Sequence, residues 1–356
     1  MTMSKYFTGI LLILAAGTLS GFTSAPAKEI PIVEKALTLT ANGQTIPAML
    51  SMPESGSAEW GIVIIPGSFA NDVDGNYSPA QGSPFAAKPH MYKDLARQLA
   101  GRSCAVLRFA RGGAATVDAA EAALHRHFID RTNVVEQAVR ALRAAVPGLV
   151  HCALAGHSEG GPVALLFLSG RPEVKIDAYI SLSAPARRIF DVMLQQIESS
   201  VKDGYWSFGA MKFPFSDYKT AMDIIRRGES VPEALKKTLP PFGVHTMDPA
   251  SQNYLREYDR IDSLKLMAAL SCPVLIVQGG NDTSVLPDNA DLLFSARKGN
   301  PAPTDKAFFP DLQHFYKKCA PGLDPNLAFA LDSDSDPAVA EAIAAWLGKI
   351  ARKPAP

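Results

Sequence analysis

The stretch VHCALAGHSEGGPVALLFLSG, residues 150–170, constrains this chain more than any other. Residues 150–155 form a short, mostly apolar run of strand type. Gly156-His157-Ser158-Glu159-Gly160-Gly161 follows, and residues 163–168 continue as an apolar helical run. Strand, G-x-S-x-G and helix in that order describe a sharp turn that lifts a serine out of the end of a sheet. So tight a turn requires flanking positions almost free of side chain, hence Gly156 and Gly160. The helix that starts there aims free N–H groups and a positive dipole end at the serine.

The rest of the chain supplies the sheet. Residues 32–40 and 44–52 alternate apolar and polar positions around Asn42-Gly43, a strong hairpin signal. Residues 60–65, 104–109, 176–183 and 273–278 read as strands buried on both faces, and residues 306–309 as a short late strand. Helical patterns at 90–100, 119–145 (broken near 128–131), 290–297 and 337–350 alternate with them. This alternation implies βαβ units and an α/β fold with a mostly parallel sheet, the hairpin forming an antiparallel edge. Residues 189–266 differ in texture: they read as helical, with aromatics at Tyr205, Trp206, Phe208, Phe213, Phe215 and Tyr218. They are expected to form a cap inserted over the C-terminal edge of the sheet, where ligands bind in such folds, and the aromatics either line a pocket there or pack the cap. The expected division is a signal peptide at 1–27, core at 28–188, helical cap at 189–266 and core again at 267–356.

The signal assignment rests on Lys5, an apolar run at 7–16 too short to span a bilayer, and Ala25-Pro26-Ala27 as a cleavage site. It predicts a bacterial protein exported to the periplasm or the medium, with no stable membrane insertion after cleavage. The 35 basic and 35 acidic residues balance, which gives no support to a nucleic-acid or polyanion partner. Cys104, Cys152 and Cys272 fall in or beside predicted buried strands and read as core residues; Cys319 lies in a loop with no assigned partner. No Cys/His spacing suggests a metal, and Asp72-Val73-Asp74-Gly75-Asn76 lacks the spacing and terminal glutamate of a calcium loop.

A serine hydroxyl is a poor nucleophile without a base in reach and a carboxylate to orient that base. His314 leaves a late strand at the edge where Ser158 sits, and is preferred over His245 in the helical segment. Asp282 ends the buried run VLIVQGGND and is preferred over Asp288, Asp291 and Asp311. Donors for a developing oxyanion are expected from the backbone N–H of Glu159 and from the loop after the first long strand, where Ser68 is the choice and Phe69 the second. Phe69 is also an expected substrate contact.

These residues resemble a known family. Gly156-His157-Ser158-Glu159-Gly160-Gly161 is similar to the elbow of bacterial α/β-hydrolase fold carboxylesterases related to the serine aminopeptidase-like hydrolases. Members carry a GSGPxDRDGN loop, which here reads Gly67-Ser68-Phe69-Ala70-Asn71-Asp72-Val73-Asp74-Gly75-Asn76. Their acid motif G-x-x-D-x-x-V-x-P matches residues 279–287, with Asp282 in the acid's place. Their R-[FY]-D-x-R-G segment is matched loosely by Arg108-Phe109-Ala110-Arg111-Gly112-Gly113; Ala110 stands where the aspartate would be, and only a one-residue deletion puts Arg111 in place of the second arginine. The resemblance implies the order Ser158, Asp282, His314, an acyl-enzyme, a small-molecule ester substrate and no cofactor. A peptidase or amidase on the same residues is the alternative, with Glu229 and Glu233 as cap carboxylates for a substrate amine. A binding protein that has lost catalysis is the third reading.

Overall fold

Asn42 and Gly43 both take positive φ, 50° and 70°. This is the hairpin geometry whose twist matches that of the strands it joins, and it folds β1 (Ile32–Ala41) back on β2 (Gln44–Pro53). The computed structural model describes residues 30–81, 86–111, 127–198, 200–208, 210–241, 243–323 and 325–352. The expected signal peptide, Gly112, Gly113 and the first part of the helix read at 119–145 lie outside them.

After the hairpin the chain alternates: β3 (Trp60–Ile65), α1 (Met91–Ala100), β4 (Cys104–Phe109), α2 (Asp130–Ala145), β5 (His151–His157), α3 (Gly160–Ser169) and β6 (Ala178–Leu182). The sheet is completed by two later strands, β9 (Val274–Gly279) and β10 (Thr304–Phe309), in the order β1-β2-β4-β3-β5-β6-β9-β10 across eight strands. From β4 to β10 every pairing is parallel; β1–β2 and β2–β4 are antiparallel. The side-chain period of two sends Val63 and Ile65 to one face and Ile62 and Ile64 to the other. The first face is covered by Val139 and Leu142 of α2 and Val163 of α3, the second by Met91 and Leu95 of α1 with Ile343 and Trp346 of the closing helix. Helices on both faces explain why the central strands are predominantly apolar.

Between β6 and β9 lies a block with a small core of its own. It comprises α4 (Ile189–Glu198), β7 (Tyr205–Phe208), β8 (Met211–Pro214), α5 (Phe215–Arg226), α6 (Glu233–Lys236), α7 (Pro249–Asp259) and α8 (Ser263–Ala269). Phe190, Tyr218, Met222, Ile225 and Val244 cluster there, and Trp206 packs on Tyr218 with ring centroids 5.6 Å apart and on Phe213 at 6.0 Å. Trp206, Phe213 and Tyr218 thus serve the block's internal packing. The antiparallel hairpin β7–β8 departs from the helical texture expected for this segment. Its strands are four residues long, too short to show a period of two, and Asp203 and Gly204 at positive φ turn the chain into it. Helix α7 belongs to both parts: Leu255 packs on the block, whereas Tyr254 and Tyr258 pack on the main core.

The chain then returns to the sheet with β9 (Val274–Gly279), α9 (Asp288–Ala296), β10 (Thr304–Phe309), α10 (Pro325–Phe329) and α11 (Pro337–Ala351). All four cysteines are free thiols, and burial pushes those of Cys104 and Cys152 up to about 12. Among the described residues no helix is long and apolar enough to cross a membrane.

Candidate active site

Ser158 stands between β5 and α3 at φ 51°, the left-handed region that costs a non-glycine residue strain. Its N–H donates to Leu182 O at 2.9 Å and its carbonyl accepts from Gly161 N–H at 2.9 Å, so both neighbours in the sheet and helix hold the turn. A Cβ on Gly156 would run into the carbonyl of Gly160, and one on Gly160 into that of Ile65. Two side chains are therefore excluded so that the turn can close beneath β3. The Ser158 side chain is half-buried, and among the described residues its hydroxyl has no hydrogen-bond partner.

On one side of the serine lies a wall built from the loops after β9 and β10. Asp282 is 2% exposed, and its Oδ2 accepts from His314 Nδ1 at 2.8 Å. Oδ1 accepts the N–H groups of Ser284 and Val285 at 2.9 and 2.8 Å, and Gln278 Nε2 reaches Oδ2 at 3.2 Å. The carboxylate is saturated and can only point where it does. Gly279 and Gly280 matter because the histidine loop crosses them: a Cβ on either would strike the backbone of Leu312 or Pro310. With Nδ1–H given to Asp282, the Nε2 of His314 is the acceptor, and among the described residues it has no partner.

His157 ties this wall to the elbow. Its ring is 1% exposed and lies 4.6 Å, centroid to centroid, from that of His314. Nε2 lies 3.1 Å from His314 O, and a carbonyl can only accept, so Nε2 carries the proton. Nδ1 then accepts from the Tyr92 hydroxyl at 3.0 Å, and the Tyr92 oxygen accepts from Gly67 N–H at 2.8 Å. Burial, and then the proximity of His314, holds the His157 pKa well below its usual range, so the ring is neutral. Burial also pushes the Tyr92 phenol up to about 12.

The opposite wall is the loop after β3. Gly67 backs directly onto the serine: a Cβ there would lie 3.1 Å from that of Ser158. Ser68 Oγ donates to Glu159 Oε2 at 2.8 Å. Glu159 Oε1 takes Arg131 Nη1 at 2.6 Å, Arg111 Nη2 at 2.9 Å and the Tyr254 hydroxyl at 2.5 Å. Each arginine has a second contact on the loop: Arg131 Nη2 to Pro66 O and Arg111 Nη1 to Gly67 O, both 2.5 Å. Burial alone would raise the Glu159 pKa; the two arginines, with Tyr254 and Ser68, outweigh it and leave it lowered to about 2. Among the described residues the N–H groups of Ser68 and Glu159 have no acceptor. Phe69 follows at φ 63°, is 45% exposed, and its carbonyl accepts from Asn71 Nδ2 at 3.0 Å.

The other carboxylates and histidines weighed from sequence do not reach the serine's partners: Asp311 is exposed after β10, and the rest are engaged elsewhere. His245 Nε2 donates to Pro240 O at 2.8 Å inside the block. Asp288 pairs with Arg187 at 2.5 Å and Asp291 with Lys306 at 2.5 Å. Glu229 and Glu233 pair with Arg227 at 2.7 Å and Lys236 at 2.6 Å. Asp72 folds its own loop by accepting the N–H groups of Asp74 and Asn76 at 2.9 and 2.8 Å, and Asp74 pairs at 2.9 Å with Arg108, itself 2% exposed. Asp72 is thus spent on folding the segment and Asp74 on pinning it to β4.

Four contributors were not legible in advance: Tyr92, His157, Arg131 and Tyr254. Tyr92 lies 25 positions from Gly67, and Arg131 and Tyr254 lie 28 and 95 from Glu159, each in a stretch that reads as ordinary helix, whereas His157 lies within the elbow but its partners Tyr92 and His314 are 65 and 157 positions away. Arg111 was in view through the loose arginine segment, and the structure brings its guanidinium to Glu159.

The strand order, the parallel centre and the helices on two faces are those of the α/β-hydrolase fold, and solved structures agree. Est1E from Butyrivibrio proteoclasticus gives a TM-score of 0.51 at 18% identity, covering 89% of this chain and 99% of that one. The same protein with ferulic acid bound gives 0.52 at 18% identity, covering 89% and 100%. An acylaminoacyl peptidase in complex with Z-Gly-Gly-Phe-chloromethyl ketone gives 0.50 at 12% identity, covering 90% of this chain and 42% of that one. No protein-family model and no curated protein matches the chain. At these identities the likeness carries the fold.

Proposed function

We propose that this chain is a serine hydrolase that cleaves carboxylic esters through an acyl-enzyme on Ser158. The observation that carries the reading is the buried pair His314 Nδ1–Asp282 Oδ2 at 2.8 Å, on a loop braced through His157 to the strained serine. Ser158 Oγ attacks the ester carbonyl while His314 Nε2 takes its proton. Asp282 holds the ring in the tautomer that leaves Nε2 free and stabilises the imidazolium once it forms. The carbonyl oxygen becomes an alkoxide, received by the N–H groups of Ser68 and Glu159. His314 then gives its proton to the departing alkoxide, the acyl–oxygen bond breaks, and the alcohol leaves. Water, deprotonated by the same histidine, attacks the acyl-enzyme and releases the acid. Phe69, exposed beside the loop, is proposed to contact the substrate.

The ester reading is favoured over the peptidase because Glu229 and Glu233 are engaged in ion pairs on the surface of the block. That Est1E has been solved with ferulic acid bound makes an ester of an aromatic acid a sensible first substrate. The test is Ser158→Ala assayed on short p-nitrophenyl esters beside aminoacyl amides. We expect kcat/KM on the esters to fall by roughly a thousandfold or more, and wild-type protein to react with a fluorophosphonate. Undiminished hydrolysis by the variant would overturn the assignment. Export directed by residues 1–27 is part of the same proposal, and a mature N-terminus at Lys28 is the expected result of sequencing the exported protein.

A further inference from the structure

Two consecutive peptide groups precede the proposed oxyanion donor, and they are held differently. The Pro66–Gly67 peptide is fixed at both ends: Arg131 Nη2 takes its carbonyl and the Tyr92 oxygen takes its N–H. In the Gly67–Ser68 peptide, Arg111 Nη1 takes the carbonyl, and the N–H has no acceptor among the described residues. A trans peptide is planar, with its C=O and N–H pointing in opposite directions, and there are no cis bonds among the described residues. Holding Gly67 O therefore fixes where the Ser68 N–H points.

What holds the arginines is Glu159. Its Oε1 receives one guanidinium nitrogen from each while the other nitrogen of each stays on the loop. Its Oε2 receives the Ser68 hydroxyl, so Ser68 is fixed both through the peptide before it and through its own side chain. The fourth partner, the Tyr254 hydroxyl, comes from α7 and also accepts from Arg111 Nη2 at 3.1 Å. A carboxylate beside a nucleophile has the wrong sign for a reaction that builds negative charge there. Two arginines against one glutamate leave the set at one net positive charge, which suits an alkoxide.

We infer that the Glu159 side chain is a positioning residue for the reaction proposed above: it orients the Ser68 N–H by holding Arg111, Arg131 and the Ser68 hydroxyl on the loop, and Tyr254 brings helix α7 into the same set. The inference rests on the assignment of Ser158 as nucleophile and of Ser68 as an oxyanion donor. It gives the carboxylate a role separate from the backbone N–H of the same residue.

The experiment compares wild type, Glu159→Gln, Ser68→Ala and the double variant on a short p-nitrophenyl ester. It also measures inhibition by a trifluoromethyl ketone, whose adduct with Ser158 places an alkoxide where the substrate's would form. For Glu159→Gln we expect kcat to fall roughly tenfold to a hundredfold with KM within about twofold, and the inhibition constant to rise by the same factor as kcat falls. The double variant should be no slower than Glu159→Gln, because Ser68→Ala removes one arm of the same clasp. Unchanged kcat in folded Glu159→Gln overturns the inference, as does an inhibition constant that does not follow kcat, or losses that multiply. If Glu159→Gln does not fold, Ser68→Ala decides: parallel changes in kcat and inhibition support the role, and no change in either overturns it. Wild-type protein that a fluorophosphonate fails to label would instead overturn the reading of Ser158 itself.

Discussion

His157 and Glu159, the two neighbours of Ser158, are 1% and 4% exposed, yet one is held neutral and the other ionised. The difference lies in what each buried side chain meets. His157 meets a carbonyl and a phenol, which satisfy both ring nitrogens in the neutral form and offer no counter-charge. Glu159 meets two guanidiniums. Burial penalises charge at both sites, and only at Glu159 is the penalty exceeded by opposite charge. Each outcome suits its side of the serine. In the proposed reaction a second positive ring beside His314 would oppose formation of the imidazolium, and a neutral brace avoids this while Asp282 stays hydrogen-bonded to the ring. On the other side the net positive set suits the oxygen that would become an alkoxide in the proposed reaction.

The largest expected effect comes from breaking the acid–base side alone. Asp282→Asn keeps the side-chain shape but places an amide where His314 Nδ1–H must donate, favouring the wrong tautomer. We expect kcat on a p-nitrophenyl ester to fall roughly 10⁴-fold. A loss of less than tenfold would mean that Asp282 does not orient the base. On the oxyanion side, Glu159→Leu should act first on stability. It leaves two guanidiniums buried against the loop without their anion, and we expect a loss of about 3–5 kcal/mol in urea unfolding at neutral pH. A loss below about 1 kcal/mol would show the two arginines to be hydrated or repaired by other partners.

That contrast also explains what the sequence made legible. Strand β3, strand β4 and the Asn42-Gly43 hairpin could be read almost residue for residue, because buried parallel strands and a type-specific turn are written in contiguous residues. Ser158, Asp282 and His314 could be named as candidates because each follows a strand end, and in this fold strand ends converge on one edge. Glu159 could be named only for its backbone. Its side chain depends on Ser68, Arg111, Arg131 and Tyr254, 91, 48, 28 and 95 positions away, with no periodic pattern joining them. Tyr92 escaped for a different reason: on an amphipathic helix a buried tyrosine reads as core, and nothing local shows that its hydroxyl joins the loop after β3 to the end of β5.

Tyr92→Phe is the intermediate test. It retains the ring and removes one oxygen, which leaves both the Gly67 N–H and the His157 Nδ1 buried without a partner. We expect a cost of about 1–3 kcal/mol in unfolding free energy. Because the Arg131 contact to Pro66 O remains, the fall in kcat should be smaller than that of Glu159→Gln. A Tyr92→Phe variant slower than Glu159→Gln would reverse the ranking of the two sides in holding the loop.

The smallest effect separates the flanks by pH. Above its ordinary value of 6.5, His157 is neutral in both folded and unfolded chains and contributes nothing to pH dependence. Below 6.5 the unfolded chain takes up a proton that the folded chain refuses, so stability falls as pH falls. Glu159 behaves likewise in a lower window: its carboxyl moves from an ordinary 4.5 to about 2 on folding, so its contribution is complete above 4.5 and is lost as pH drops toward 2. Between pH 7.5 and 5.5 only the His157 flank acts, and one proton over that range is worth about 1.4 kcal/mol. His157→Gln supplies an amide that can still donate to His314 O and accept from Tyr92 without titrating. Unfolding free energies measured at the two pH values should therefore differ by about 1.4 kcal/mol less in His157→Gln than in wild type. Equal differences in the two proteins would mean that His157 is protonated in the folded chain, and the asymmetry across Ser158 would then be one of geometry and not of charge.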